Sequence, residues 1–424
     1  MLGSSLHIKN RIKLVKNLPK NSICIFESND QMPTNADGLM PFRQNNDLLY
    51  LTGIDQEETS LVIFPDAKSD EYKEILFIKK TSKEIAVWEG QKLSIKEAQN
   101  ISGIKTVLWN DDYLNTLFAL INQSDCVFLS SNEHPRANVV VESRNKRLEK
   151  NLKHRFNNIR FDKSAPIMHK LRSIKEAEEI NTIKQACSIT KSGFNRILKF
   201  IRPGINEYNI QAELIHEFIN KGSKGFAYEP IIASGLSACI LHYVDNNKVL
   251  NEGDVILMDF GAEFKNYASD LTRCVPVSGK FTKRQRNVYN AVLNVMKGAK
   301  KLLQPGVYLH EYEKAVGNLM EEELVNLGLI SMQEIKTQGK HPAYKKYFMH
   351  GTSHHLGLDV HDVSNTKSPL DEGMVLTCEP GIYIPEENLG IRLENDVLIS
   401  KNGPIDLMDD IQIEAEEIEG LMNV

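Results

Sequence analysis

The chain has 424 residues, 41% hydrophobic and 25% charged, with 51 basic against 56 acidic side chains and a formal charge of -5. That length suits two or three domains of roughly 150 residues and a core that needs no disulfide or structural metal. The balance excludes a disordered or fibrous chain and gives no broad attraction for nucleic acid. No apolar run approaches the roughly 20 residues needed to span a bilayer.

Residues 1–20 interrupt their apolar positions with Lys, Arg and Asn, so no signal peptide is expected. Six cysteines (24, 126, 187, 239, 274 and 378) lie far apart with no C-x-x-C, which reads as buried thiols in a reducing compartment. A cytoplasmic protein without a membrane or nucleic-acid partner is expected.

In chain order, short β-rich runs come first: Ser22–Phe26, Leu48–Thr52, Ser60–Phe64, Glu74–Ile78, Ile85–Trp88, Lys105–Trp109 and Asp125–Leu129. Ser94–Gln99 and the basic Arg136–Lys153 read as helices between them, the latter a solvated face because acidic residues are interspersed. The alternation predicts an α/β domain with a mixed or parallel sheet over residues 1–170. From Leu171 to Ile201 apolar residues recur at helical spacing until Arg202-Pro203-Gly204, which predicts one long helix opening a second domain, 171–424. Helices at Glu207–Lys221 and Lys283–Leu303 and strands at Val255–Phe260, Met374–Glu379 and Asp396–Ser400 follow.

Glu252–Gly261 and Glu372–Gly381 echo each other at an offset of 120 residues: an E-G turn, an apolar strand, a carboxylate (Asp259 or Glu379), then glycine. A further carboxylate follows each copy, Asp270 in SDLTR and Glu394 in IRLEND. Two related halves facing each other would bring four carboxylates together. An acidic residue ending an apolar strand is costly unless paired or bound to a cation, so a metal cage is the chemistry that fits. Five of the twelve histidines (His341, His350, His354, His355 and His361) crowd into residues 341–361. H-E-x-x-H fails at Asn220 and Lys314, G-x-S-x-G fails at Cys239, and no phosphate-binding glycine loop is present.

Asp259, Asp270, His354, Glu379 and Glu394 stand in MDFGAEF, SDLTR, GTSHHLGLDVHD, CEPGIYIP and IRLEND. This order and these flanks resemble the pita-bread metallopeptidases, and within them the Xaa-Pro aminopeptidases (aminopeptidase P). MPFRQNNDLLYLTGIDQEETSLVIFPD is similar to that family's N-terminal domain. One departure is Ser269, where family members usually have glycine; its hydroxyl beside Asp270 is expected to be tolerated.

The resemblance implies a mixed-sheet N-terminal domain followed by a pita-bread α+β catalytic domain with pseudo-twofold halves. It implies two divalent metal ions, Mn²⁺ first with Co²⁺ or Zn²⁺ as alternatives, which also suits an oxygen-rich donor set with one imidazole. Asp259 and Glu394 would bridge the pair, Asp270 would complete one metal, and His354 and Glu379 the other. A metal-bound hydroxide would then hydrolyse the N-terminal Xaa-Pro bond of peptides, with Glu379 as general base. His242 and His361 would serve catalysis, and His242, His350 and His361 would line the substrate. Tyr383 and Arg392 would orient carboxylates, and Asp396, on the strand face of Glu394, is the alternative ligand.

The readings that compete are prolidase, which cleaves Xaa-Pro dipeptides with the same ligands, and a non-catalytic pita-bread peptide-binding module. Methionine aminopeptidase and creatinase-like members are set aside for lack of the N-terminal domain and of the cage respectively. A homo-oligomer, dimer or tetramer, is implied. Glu84–Gly90 reads as a strand running into a turn with Trp88 at its end. Trp88 would be a core residue there, or, by the resemblance, an aromatic near a neighbouring subunit's active site.

Overall fold

The computed structural model describes residues 2–339 and 341–423. The chain forms two compact units, Met1–Arg172 and Ser173–Val424.

The first unit is built on six strands: β1 (Ser22–Glu27), β2 (Ser60–Ile63), β3 (Glu74–Ile78), β4 (Thr106–Trp109), β5 (Cys126–Leu129) and β6 (Arg160–Lys163). Their order is β4-β3-β2-β1-β5-β6. β2 runs antiparallel to β1 and β3, whereas β3–β4, β1–β5 and β5–β6 are parallel, so the sheet is mixed. β1 is buried along its whole length, as a central strand covered on both faces must be. Ile23, Ile25, Val62, Ile75, Phe77 and Val127 pack with Leu117, Ile121 and Leu152 of the covering helices into one core.

Two expected strands are helices. Leu48–Thr52 belongs to the helix Asn46–Thr52, where the Asn45 side chain accepts from the Asp47 and Leu48 amides and Gly53 closes the end at φ 70°. Ile85–Trp88 belongs to the helix Lys83–Glu89, started by Ser82, whose hydroxyl accepts from the Ile85 amide. In both, a capping residue satisfies the first amides and outweighs the β-rich composition. Trp88 is 89% exposed and is not a core residue. The basic helix starts only at Arg144, under a Ser143 cap, and runs to Arg155.

The long helix expected from Leu171 is also two. Ala165–Ser173 ends the first unit and Ala177–Leu198 opens the second. The break has a partner: Ile174 bridges Met374, and the Lys175 amide donates to the Gly373 carbonyl at 2.8 Å. Those bonds need extended backbone where the apolar spacing suggested helix.

The second unit carries β7 (Ile231–Ser234), β8 (Val255–Phe260), the short pair β9 (Glu263–Phe264) and β10 (Tyr267–Ala268), and β11 (Leu271–Pro276). β12 (Val375–Cys378), β13 (Gly381–Ile384), β14 (Leu389–Arg392), β15 (Asn395–Leu398) and β16 (Ile405–Asp406) follow. β8 pairs antiparallel with β11, placing Asp259 opposite Thr272; β12 pairs antiparallel with β15, placing Thr377 opposite Asp396. A bridge between Thr272 and Glu394 joins the halves. Each half has its own helix pair, Ala177–Leu198 with Glu207–Asn220 and Lys283–Leu302 with Leu309–Asn326. This is the α+β arrangement with pseudo-twofold halves expected from the internal echo. Among the described residues no helix is long and apolar enough to cross a membrane.

Replacing Trp88 by alanine should change the unfolding free energy by less than about 1 kcal/mol in urea melts. Emptying a core site would cost about 3–5 kcal/mol, and a loss of that size would contradict the exposed position.

Candidate metal centre

Strand registers bring the five expected ligands together. Asp259 lies on β8 opposite Thr272, and Asp270, two residues before Thr272, shares its face. One step beyond the Cys378–Asn395 pair, the same register sets Glu379 opposite Glu394. His354 comes from the segment beside β12, fixed where the Thr377 amide donates to the His354 carbonyl at 2.9 Å. Gly261 permits the close turn before Asp270, since a Cβ there would fall 1.7 Å from the Ser269 carbonyl oxygen.

Ligand atoms of Asp270, His354 and Glu394 lie within 4.8 Å of one another, the metal-type cluster found among the described residues. His354 Nε2 is 3.5 Å from Asp270 Oδ2 and 3.6 Å from Glu379 Oε1, which adds Glu379. Asp259 joins through Tyr228, whose hydroxyl bonds Asp259 Oδ1 at 2.6 Å and also bonds Asp270.

The donor set fits divalent cations on three counts. Burial pushes the carboxyls of Asp270 and Glu394 well above the usual range and Glu379 up to about 7, as expected of buried carboxylates lacking enough positive charge. The guanidinium that bonds a carboxylate of the cluster directly is Arg392, and its single charge falls short of four carboxylates. His354 Nδ1 lies 3.1 Å from the His355 carbonyl; a proton there leaves Nε2 bare toward the carboxylates, the tautomer a metal-binding imidazole needs.

Arg392 organises the acids. Its guanidinium donates to Asp259 Oδ2 at 2.5 Å, to the Tyr383 hydroxyl at 2.9 Å and to Thr272 Oγ1 at 3.2 Å. Thr272 in turn donates to Glu394 Oε2 at 2.6 Å. One side chain therefore sets both carboxylates expected to bridge. The Tyr383 hydroxyl also contacts His350 Nε2 at 2.7 Å, and His350 Nδ1 lies 2.7 Å from the Gly351 carbonyl. Burial, then Arg392, pushes His350 down to about 3, so it is a neutral imidazole with both ring nitrogens engaged.

The remaining expected residues divide. The His361 ring stands edge-on to His354, with centroids 4.3 Å apart. His242 is exposed, in the loop after β7. His355 is buried and pushed down to about 3 by burial, so it is neutral, while His341 is exposed. Asp396 lies behind the cluster, with Oδ2 accepting from the Asp270 amide at 3.0 Å and from Cys187 Sγ at 3.5 Å. The Ser269 hydroxyl is 2.8 Å from Thr190 Oγ1 and donates to the Ala262 carbonyl at 3.0 Å, so the departure at that position is absorbed by the neighbouring helix.

Two contributors escape sequence reasoning. Tyr228 lies outside every carboxylate motif. Glu313, on the helix Leu309–Asn326, accepts from the Thr352 amide at 2.7 Å, while the Glu379 amide donates to the Thr352 carbonyl at 2.9 Å. No local pattern marks either.

A buried carboxylate–imidazole cage on a pita-bread scaffold defines a metallopeptidase, and the comparisons agree. Residues 181–401 match the model of metallopeptidase family M24, and residues 7–128 match the aminopeptidase P N-terminal domain. The chain is 34% identical to the Xaa-Pro aminopeptidase of Escherichia coli (strain K12), over 98% of this chain and 96% of that protein. It superposes on Pseudomonas aeruginosa aminopeptidase PepP with a TM-score of 0.91 at 30% identity, covering 100% of this chain and 98% of that one. Zn-substituted E. coli aminopeptidase P in complex with product gives a TM-score of 0.88 at 34% identity, with 100% and 98% covered. The chain belongs to metallopeptidase family M24 and, within it, to the Xaa-Pro aminopeptidases; it is a metal-dependent aminopeptidase.

Lysine at 392 would keep the charge but could not reach Asp259, Tyr383 and Thr272 together. Arg392→Lys should therefore lose about 10- to 100-fold in peptidase kcat/KM with the melting temperature little changed. Wild-type activity in that variant would remove Arg392 from its organising place.

Proposed function

We propose that the chain hydrolyses the N-terminal Xaa-Pro bond of peptides with two divalent metal ions, Mn²⁺ preferred and Co²⁺ or Zn²⁺ competent. The observation that carries this reading is the convergence of Asp259, Asp270, His354, Glu379 and Glu394 within one largely buried cluster. Four carboxylates and one imidazole are enough for two metals sharing Asp259 and Glu394, with Asp270 on one and His354 and Glu379 on the other. Bound there, the cations would polarise the scissile carbonyl and acidify the attacking water.

The protein's own groups do the rest. Glu379, whose Oε2 lies 3.7 Å from His350 Nδ1, is the proposed general base, receiving the water's proton and passing it toward the leaving nitrogen. His242, exposed at the rim, handles protons on the leaving-group side. His361 holds the substrate backbone, and it also stands beside the ligand His354. His350 faces the proline ring as a neutral imidazole aligned by Tyr383; to hydrogen-bond substrate it must release Tyr383 or Gly351. Tyr383 and Arg392 hold the carboxylates in place.

Residues 1–170 are proposed as the aminopeptidase P-type N-terminal domain and 171–424 as the catalytic domain. The enzyme is proposed to be cytoplasmic and a homo-oligomer, dimer or tetramer, acting on peptides with proline second. An exposed Trp88 is compatible with a site at a neighbouring subunit.

The test is a peptide panel on protein stripped of metal and reloaded with Mn²⁺. Xaa-Pro-Yaa and longer peptides should be cleaved with higher kcat/KM than Xaa-Pro dipeptides, stripped protein should be inactive, and Glu379→Gln should lose at least about 10³ in kcat. A preference for dipeptides would move the assignment to prolidase. Binding without turnover would favour the peptide-binding module, and loss of the proline preference would overturn both peptidase readings.

A further inference from the structure

Behind the histidine segment lies a buried ion pair that the reaction does not use directly. Lys175 Nζ is 3.2 Å from Asp362 Oδ2, with the two side chains 1% and 2% exposed. Glu179, also buried, faces the same ammonium and accepts from the Tyr267 hydroxyl at 2.8 Å. A buried ion pair is a weak source of stability, since well-packed apolar groups of similar volume often serve as well or better. Its place in the chain suggests another use.

Residues 353–363 contain no regular helix or strand, yet they carry His354 and His361. The segment closes on itself where the Asp362 amide donates to the His355 carbonyl at 2.8 Å and the Gly357 amide to the Asp359 carbonyl at 3.0 Å. One side of this neck is fixed by the bridge from His355 to Leu376. On the other side, the Asp362 carboxylate meets Lys175, which is itself held by its amide bond to Gly373. His354 and His361 are the residues immediately preceding the two sides of the neck, and their rings are in contact.

The space around the pair is filled. A Cβ on Gly357 would sit 2.1 Å from Asp362 Oδ2 and 3.0 Å from Lys175 Cε, so the carboxylate occupies the room a side chain would need. The Gly357 carbonyl accepts from the Ala268 amide at 2.8 Å, two residues before the ligand Asp270.

We infer that the Lys175–Asp362 ion pair positions His361 against His354, fixing the substrate-holding imidazole relative to the metal ligands. Lys175 and Asp362 are positioning residues, acting through His361. The inference rests on the reading of His361 as a substrate-holding group.

The test is a double-mutant cycle on the Mn²⁺-loaded full chain with an Xaa-Pro-Yaa peptide. Lys175→Met combined with Asp362→Leu replaces the pair by apolar groups. It should retain metal content and melting temperature while kcat/KM falls at least about tenfold, as small misplacements of a substrate-orienting group do. Adding His361→Ala to that variant should cost little more, because the affected group is already misplaced. Should the apolar pair fail to fold, Asp362→Asn, which keeps size and an acceptor oxygen, runs the same cycle. Activity within twofold of wild type, or losses that multiply with His361→Ala, would overturn the proposal. Wild-type protein that cleaves no Xaa-Pro bond would instead overturn the functional reading on which it rests.

Discussion

Four carboxylates drawn largely out of water, with the Arg392 guanidinium bonded to one of them, form the constraint on which the second unit depends. Without compensation such a cluster repels itself, and burial forces its members to take up protons. The surrounding structure is arranged so that the acids stay aimed inward. Arg392 ties Asp259 directly and Glu394 through Thr272, and Tyr228 joins Asp259 to Asp270. Behind them, the fully buried Arg273 donates to the Glu394 carbonyl at 2.8 Å and to Asn395 Oδ1 at 2.7 Å, locking the backbone that carries Glu394. The positive charge still missing is what divalent cations would bring.

The duplicated architecture supplies the acids from two directions. Each half contributes an antiparallel strand pair, with a carboxylate at one strand's end and another just before or at the start of its partner. Regular strand register sets the spacing on each side, and the Thr272–Glu394 bridge sets one side against the other. The imidazoles arrive differently, on an irregular segment. That segment is pinned by Glu313 at Thr352, by β12 at His354 and His355, and by Lys175 at Asp362.

The five residues proposed as ligands could be picked out in the sequence because each sits in its own short motif and the two halves repeat. Asp259 and Glu379 end apolar strands, where a carboxylate is conspicuous. Tyr228, Glu313 and Lys175 could not be read, since each meets its partners only through contacts that the fold makes between distant stretches of chain. In the fold, five strands of the mixed sheet were readable from apolar runs, but β6, the polar and largely exposed Arg160–Lys163, was not. Leu48–Thr52 and Ile85–Trp88 were not, because Asn45 and Ser82 cap helices there. The break at Ile174–Glu176 was hidden for a similar reason: its extended backbone is fixed by Gly373 and Met374, about 200 residues away in the chain.

The central claim is that Asp259, Asp270, His354, Glu379 and Glu394 form one two-metal site. Elemental analysis of Mn²⁺-loaded, desalted protein tests it most directly. Wild-type chain should retain about two metal ions, and Asp259→Asn or Glu394→Gln, each removing a shared carboxylate, about one or none with the fold intact. Retention of both ions by these two variants, or of none by the wild type, would contradict it.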